Sequence, residues 1–325
     1  MPSPIPHPPS SSVIVTGGAG FIGGHLVERL LKDGHGVTVI DDLSTGNLDN
    51  LATVRHHPQF RFLQARISDC AELPELAAQA GFIFHLAATV GVELVVKSAL
   101  HVLEASFRET QALLRAALVS ATPLLLTSSS EVYGKSAKPE FRESDDLLIG
   151  PPGQARWSYA CAKLTDEFLA LACAREKHLP VIIARLFNTV GPRQTGRYGM
   201  VLPRFIAAAR TGAPLAVYGD GAQTRCFCLV QDAVEALVRL KDCAAARGEI
   251  FNIGGTEEIS MLELARLVTA TLASKSPIEL IPYDQAYAPG FDDMRRRKPC
   301  VEKLARCTGF KPQTPLREII RWTAG

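Results

Sequence analysis

Residues 13 to 40 leave the chain few ways to fold. An apolar run, Val13–Val15, ends in Thr16-Gly17-Gly18-Ala19-Gly20-Phe21-Ile22-Gly23, and an amphipathic helix is expected from about Phe21 to Lys32. A second apolar run, Val37–Ile40, completes a β-α-β unit. Gly17 and Gly20 permit a tight turn and close approach of backbone to a pyrophosphate. Gly23 lets the helix pack against the strand, and the helix N-terminus offers unpaired N–H groups with partial positive charge. Asp41 ends the second strand, where a carboxylate accepts hydrogen bonds from an adenosine ribose and repels a 2′-phosphate. The unit therefore reads as a site for NAD rather than NADP. A glycine-rich turn without a ligand is the plainer alternative, and the flanking strand, helix and acid argue against it.

The same texture continues. Phe60–Leu63, Phe82–Leu86, Leu124–Thr127 and Val181–Ala184 are short apolar runs, separated by helical stretches that include about Leu94–Ser120 and Tyr159–Lys177. Apolar strands alternating with helices predict an α/β fold with a doubly wound parallel sheet covered on both faces. Residues 13–185 form this nucleotide-binding unit. After Arg185, Gly191-Pro192, Gly196, Gly199, Gly212, Pro214 and Gly219–Gly221 interrupt the periodicity, and 186–325 read as a smaller substrate-binding lobe. Within it Asp232–Leu240 and Ile250–Ile253 are placed to rejoin the sheet, over about 228–255.

Composition removes several classes. Lys and Arg number 35 against 33 acids, a net charge of +2, so no global field favours nucleic acid or an anionic membrane. An anionic ligand must be met by locally placed arginines. The eight cysteines include no C-x-x-C pair, and Cys226 and Cys228 lack nearby histidines. Reduced thiols are expected, with no metal site. The proline- and serine-rich residues 1–12 read as a disordered tail rather than a secretory signal, and no stretch approaches a membrane span. A cytoplasmic location follows by default.

Tyr159-Ala160-Cys161-Ala162-Lys163 places a phenol and an ammonium one helical turn apart on one face. A neighbouring cation favours phenolate, so the lysine is expected to lower the tyrosine toward a range useful for proton transfer. Tyrosine and lysine four apart are common by chance; beside the glycine loop the pair gains meaning. Thr127-Ser128-Ser129-Ser130-Glu131-Val132-Tyr133-Gly134 follows a strand-like run and sets hydroxyls and a carboxylate at the sheet edge where ligands bind. The simpler reading is a polar strand end with capping serines.

The G-x-x-G-x-x-G spacing resembles the extended branch of the short-chain dehydrogenase/reductases, built on a Rossmann fold. Further segments carry the likeness over nearly the whole chain: His85-Leu86-Ala87-Ala88, Arg185-Leu186-Phe187-Asn188-Thr189-Val190-Gly191-Pro192, Val217-Tyr218-Gly219-Asp220-Gly221, Gln223-Thr224-Arg225 and Arg297-Lys298-Pro299. Together they resemble the NAD-dependent epimerase/dehydratases acting on nucleotide-diphosphate sugars. The resemblance implies cofactor contacts from Gly17, Gly20, Phe21, Ile22, Gly23 and Asp41. It adds Ser44, Thr45, Gly46 and Ile67, then Leu86, Ala87, Ala88, Thr127 and Phe187, with Tyr159 and Lys163 shared with catalysis. It also implies that Ser129 hydrogen-bonds the reacting 4-hydroxyl, with Ser130, Glu131 and Arg225 as further catalytic groups. Asn188, Arg197, Val217, Tyr218, Gln223, Arg225 and Arg297 are implied for the substrate. Family members pair the helices around 94–120 and 159–177 into a dimer interface, so a homodimer is expected, although core burial explains the same apolar faces.

Ser130-Glu131 resembles UDP-glucuronate decarboxylases and also GDP-mannose 4,6-dehydratases. Gln223-Thr224-Arg225-Cys226-Phe227 resembles the decarboxylase segment that carries an active-site arginine near the carboxylate and C5, and a guanidinium suits a carboxylate by paired hydrogen bonds. Asp292-Asp293-Met294-Arg295-Arg296-Arg297-Lys298-Pro299 also resembles the decarboxylases, which implies an arginine that meets the diphosphate. An ion pair of Arg225 with Asp220 or Asp232, and a solvated Arg295 and Arg296, are the plainer alternatives. Two positions depart from the decarboxylases: Thr89-Val90-Gly91-Val92 replaces a glycine- and proline-rich loop, and Arg66 stands where an adenine-side carboxylate is expected, leaving Ile67 backbone or Asp69 for that role. The resulting expectation is an enzyme acting on a UDP-linked sugar through a 4-keto intermediate, with UDP-glucuronate decarboxylation first. Sugar 4-epimerisation and 4,6-dehydration are the rival reactions, and a dinucleotide-sensing binding protein is the non-catalytic rival.

Overall fold

The computed structural model describes residues 12–88, 98–196, 200–282, 285 and 294–325. Of the segments singled out above, residues 1–11 of the tail, Thr89–Val92, Arg197, Gly199, Asp292 and Asp293 lie outside the described residues. Ser12, expected in the tail, is instead the first residue of a strand.

That strand, β1 (Ser12–Thr16), is followed by α1 (Phe21–Lys32), β2 (Gly36–Asp41), β3 (Phe60–Gln64), α2 (Leu73–Gln79), β4 (Phe82–His85), α3 (Ala99–Ser120), β5 (Leu124–Ser129), α4 (Trp157–Lys177) and β6 (Val181–Leu186). Then come β7 (Thr189–Val190), α5 (Val201–Thr211), β8 (Leu215–Tyr218), β9 (Thr224–Cys226), β10 (Cys228–Leu229), α6 (Val230–Asp242) and β11 (Glu249–Ile253). β12 (Glu258–Ser260), α7 (Met261–Thr271), β13 (Ile278–Ile281), α8 (Glu302–Thr308) and α9 (Leu316–Ala324) complete the chain.

Seven strands form one parallel sheet in the order β11-β6-β5-β4-β1-β2-β3. Sequence order reverses between β1 and β4, which opens a crevice at their C-terminal ends. The strands are apolar on both sides because both faces are covered. Val13, Val15, Val37 and Phe84 pack with α1 and α6 on one face. Ile14, Ile83, Leu124 and Leu126 pack with α2, α3 and α4 on the other. α6 and β11 come from the later part of the chain, yet β11 pairs with β6 and α6 lies beside α1. The remaining elements hold a separate apolar cluster of α5, α7, α9 and β8, built on Leu202, Phe205, Leu264 and Ile319. Among the described residues no helix is long and apolar enough to cross a membrane.

Candidate functional site

A cavity of about 740 Å3 lies between the C-terminal edge of the sheet and the second lobe. Its sheet side begins with the glycine loop. Gly17 has φ +72°, and a Cβ there would lie 2.6 Å from Ala87 N. A Cβ on Gly23 would come within 2.1 Å of Gly17 O. Only glycine lets these backbones meet, so the loop forms a cradle that side chains would fill. Such a cradle at a helix N-terminus fits a dinucleotide pyrophosphate.

Asp41 tightens this loop from inside the protein, accepting from Ala19 N and Leu43 N, each at 2.9 Å. Burial raises its carboxyl above the ordinary range, although these two N–H groups pull the other way. Asp41 lines the cavity, and carboxylate oxygens accept more than one hydrogen bond each, which leaves capacity for a ribose hydroxyl. Phe21, Ile22, Gly20, Ser44, Thr45, Gly46, Ile67, Leu86, Ala87, Ala88 and Thr127 line the cavity with it. At the far end Arg66 sits 3.6 Å from Asp42, and Glu109 accepts from the backbone and hydroxyl of Ser68, both at 2.8 Å. Asp69, a suggested adenine contact, is not among the described lining residues.

The proton-transfer candidates meet on the opposite wall. β5 ends in Ser129, whose hydroxyl hydrogen-bonds Tyr159 from the first turn of α4. Lys163 is buried; its Nζ donates to Thr127 O at 3.1 Å and lies 3.7 Å from Asp166 Oδ2. The lysine was expected to lower the tyrosine. In this arrangement burial raises the phenol well above its ordinary value, the carboxylates of Glu131 and Asp166 add to the rise, and the Ser129 hydrogen bond only partly opposes it. The reason is that Lys163 is turned toward a carbonyl and a carboxylate of its own. His85 is buried between Thr16 Oγ1 at 2.8 Å and Thr110 Oγ1 at 3.1 Å. Burial, helped by Lys163, pushes it down to about 3, so it is a neutral core residue.

Glu131 sits in the short turn after β5 and faces three guanidiniums. Arg297 Nη2 is 2.8 Å from Oε1 and Arg156 Nη2 is 3.4 Å from Oε2. Burial alone would raise this carboxyl; Arg297, Arg156 and Arg225 outweigh it and hold the group below the ordinary range, as an anion. Arg225 donates to Thr224 O at 2.8 Å and lines the cavity. Its suggested ion-pair partners are engaged elsewhere: Asp220 accepts from Ala222 N and Asp232 from Thr314 N. Arg296 does form an outward pair, with Glu258 at 2.6 Å, while the next residue, Arg297, turns inward.

Ser130, Asn188, Tyr218 and Gln223 also line the cavity. Asn188 Nδ2 donates to Cys226 O at 2.7 Å, and Gln223 Nε2 donates to Tyr218 O at 2.9 Å. Two expected residues require correction. Phe187 is fully buried in an aromatic cluster with Tyr133, and Val217 in the second lobe's apolar core; neither is among the described residues lining the cavity. Strand alternation in β8 puts Tyr218 rather than Val217 on the open side, and after β6 it is Asn188 rather than Phe187 that lines the cavity. Arg156 and Arg204 were missed. Arg156 stands three residues before Tyr159, one turn away on the same face, a spacing the sequence displays openly. Arg204 hydrogen-bonds the Tyr218 hydroxyl with its guanidinium 4.7 Å from the ring centroid, and that pairing is set only by α5 crossing β8. Among the described residues no group of three potential ligands could hold a metal, and all eight cysteines are free. Burial pushes the Cys226 thiol up to about 12.

The model of the NAD dependent epimerase/dehydratase family matches residues 13–254. The chain belongs to this family. It is an NAD-dependent enzyme with the extended Rossmann architecture, and the cradle described above is the part of it that suits the dinucleotide. A UDP-N-acetyl-alpha-D-glucosaminuronate decarboxylase from Bacillus cytotoxicus is 41% identical over 318 residues, covering 95% of this chain and 96% of the relative. UDP-glucuronic acid decarboxylase 4 from Arabidopsis thaliana is 35% identical over 309 residues, covering 94% of this chain and 66% of that protein. Among solved structures, the UDP-glucuronic acid 4-epimerase of Bacillus cereus, in complex with UDP-glucuronic acid and NAD, superposes with a TM-score of 0.86 at 25% identity, covering 96% and 98% of the two chains.

Proposed function

We propose that this enzyme decarboxylates a UDP-linked hexuronate by transient oxidation at C4. The observation that carries the reading is Glu131 set among Arg156, Arg225 and Arg297, of which Arg156 stands one helical turn from Tyr159. Guanidiniums gathered at that corner suit a sugar carboxylate on C5, by paired hydrogen bonds, while Tyr159 and Ser129 address the hydroxyl on C4. A 4-epimerase of a UDP-hexuronate would hold the same carboxylate, so the release of carbon dioxide is what separates the two reactions. The 41% likeness to a decarboxylase of a 2-acetamido hexuronate favours UDP-N-acetylglucosaminuronate over UDP-glucuronate.

Tyr159 has to ionise against the burial that raises its phenol, and then accepts the 4-hydroxyl proton, with Ser129 orienting that hydroxyl. When bound in the glycine cradle, NAD supplies the hydride acceptor and donor that such a reaction needs. The C4 ketone is β to the carboxylate, so the C5–C6 bond breaks, carbon dioxide leaves, and the electron pair passes to the C4 oxygen as an enolate. The arginines hold the departing carboxylate in place. Glu131, kept ionised by those arginines, is an orienting base rather than a stored acid, so the proton reaching C5 comes from solvent.

Purified protein with NAD and either UDP-hexuronate is expected to release carbon dioxide and, in D2O, to place deuterium at C5. Tyr159→Phe is expected to lose about 10²- to 10⁴-fold in turnover, and Glu131→Gln to fall with it. Epimerised uronate of unchanged mass, formed equally well by Glu131→Gln, would establish the epimerase reading instead.

A homodimer is part of the same proposal. Leu100, Leu103 and Phe107 on α3 and Phe168 on α4 are exposed on neighbouring helices, an apolar face suited to a second copy. The free thiols suit a reducing compartment, the cytoplasm.

A further inference from the structure

Lys163 enters the interior with a counter-charge that the proton-transfer scheme leaves unused. Asp166, three residues along α4, is fully buried. Its Oδ2 lies 3.7 Å from Lys163 Nζ and accepts the Ser106 hydroxyl at 2.7 Å. Thr110 on α3 hydrogen-bonds the same carboxylate and, through its Oγ1, reaches His85, which in turn meets Thr16 at the end of β1. A strip of polar groups thus runs beneath the cavity from the Tyr159–Lys163 pair to the strand that carries the glycine loop.

We propose that Asp166 is a positioning residue for proton transfer: its carboxylate holds the Lys163 side chain in place where water is excluded and adds to the negative charge that faces Tyr159. The proposal rests on the reading of Tyr159 as proton acceptor. A buried ammonium is costly without a counter-ion, and Asp166 is the acid within ion-pair reach of Lys163 among the described residues. Burial raises Asp166 itself, opposed by Lys163, Ser106 and Thr110. The other charges around the pair are accounted for. Glu131 faces Tyr159 from the turn after β5 and is matched by Arg297, Arg156 and Arg225. His85 on β4 is neutral, and Glu167 is turned away into a two-point ion pair with Arg185 on β6.

Removing this negative charge favours the deprotonated form of Tyr159. Tyr159 then ionises at lower pH, and the limb of the activity profile that it sets moves with it. The test is the pH dependence of kcat/KM for hexuronate turnover at saturating NAD in wild type, Asp166→Asn, Asp166→Glu and Tyr159→Phe. Asp166→Asn is expected to shift that limb acidward by about one pH unit, with Asp166→Glu returning it to the wild-type position and NAD affinity preserved in both. Asp166→Ser, which keeps a hydroxyl for Ser106 but drops the charge, is expected to show the same shift and carries the test should the amide variant not fold. Reduced turnover with that limb at its wild-type position would make Asp166 a helix–helix strut and overturn the proposal. Full turnover by Tyr159→Phe would overturn the proton-acceptor reading itself.

Discussion

At the scale of single residues, burial decides what each titratable group becomes. His85 carries no charge in the fold because a cation there would lose its hydration with only two threonine hydroxyls in exchange. Its value of about 3 lies below the unfolded 6.5. The unfolded chain therefore takes up a proton below pH 6.5 that the folded chain refuses until about pH 3. Stability from this residue is complete above pH 6.5 and is lost as pH falls, by up to about 1.4 kcal/mol per pH unit. Urea unfolding between pH 7 and pH 5 is expected to show this slope, and His85→Gln to flatten it; an equal slope in the variant would contradict the assignment. Glu131 lies at the opposite pole. It too is screened from water, yet three guanidiniums keep it ionised. Tyr159 and Glu131 could be nominated from sequence, but the sign of a shift depends on which charges the fold places around them.

Among elements, the glycine loop and the strand ends were the most legible. A strand running into Gly17–Gly23 and then a helix needs no distant partner to specify it, because the constraint is local: backbone must approach backbone. Gly23→Ala is expected to test it directly. The added Cβ would meet the Gly17 carbonyl and the Gly18 Cα, backbone atoms that have nowhere to yield. Loss of about 1–3 kcal/mol of stability and weakened NAD binding by fluorescence titration are expected, and a variant with wild-type affinity would refute the close-packing argument. Less legible were the elements that point side chains across lobes. Phe187 and Val217 were expected at the site from the family resemblance, and the fold sends both into apolar clusters instead. Arg156 lay one turn from Tyr159 and could have been read from spacing, whereas Arg204 beside Tyr218 could not.

For the whole molecule, the parallel sheet sets one cavity wall and the second lobe the other, and Arg225 and Arg297 reach Glu131 from chain segments about 100 residues or more away. The same assembly leaves Leu100, Phe107 and Phe168 uncovered on α3 and α4. Sedimentation velocity is expected to give a dimer for the wild type and a monomer for Phe168→Asp; a wild-type monomer at micromolar concentration would remove the homodimer proposal. Periodicity, glycine spacing and the Tyr159/Lys163 turn, all short-range features, determined by sequence alone that this is a parallel α/β enzyme with a dinucleotide cradle, and nominated the pair proposed for proton transfer. Tertiary structure decided which arginines surround Glu131, that Lys163 is tied to Asp166, and that the phenol is raised rather than lowered. Those outcomes are sums of burial and charge over groups far apart in the chain, and no local pattern encodes them.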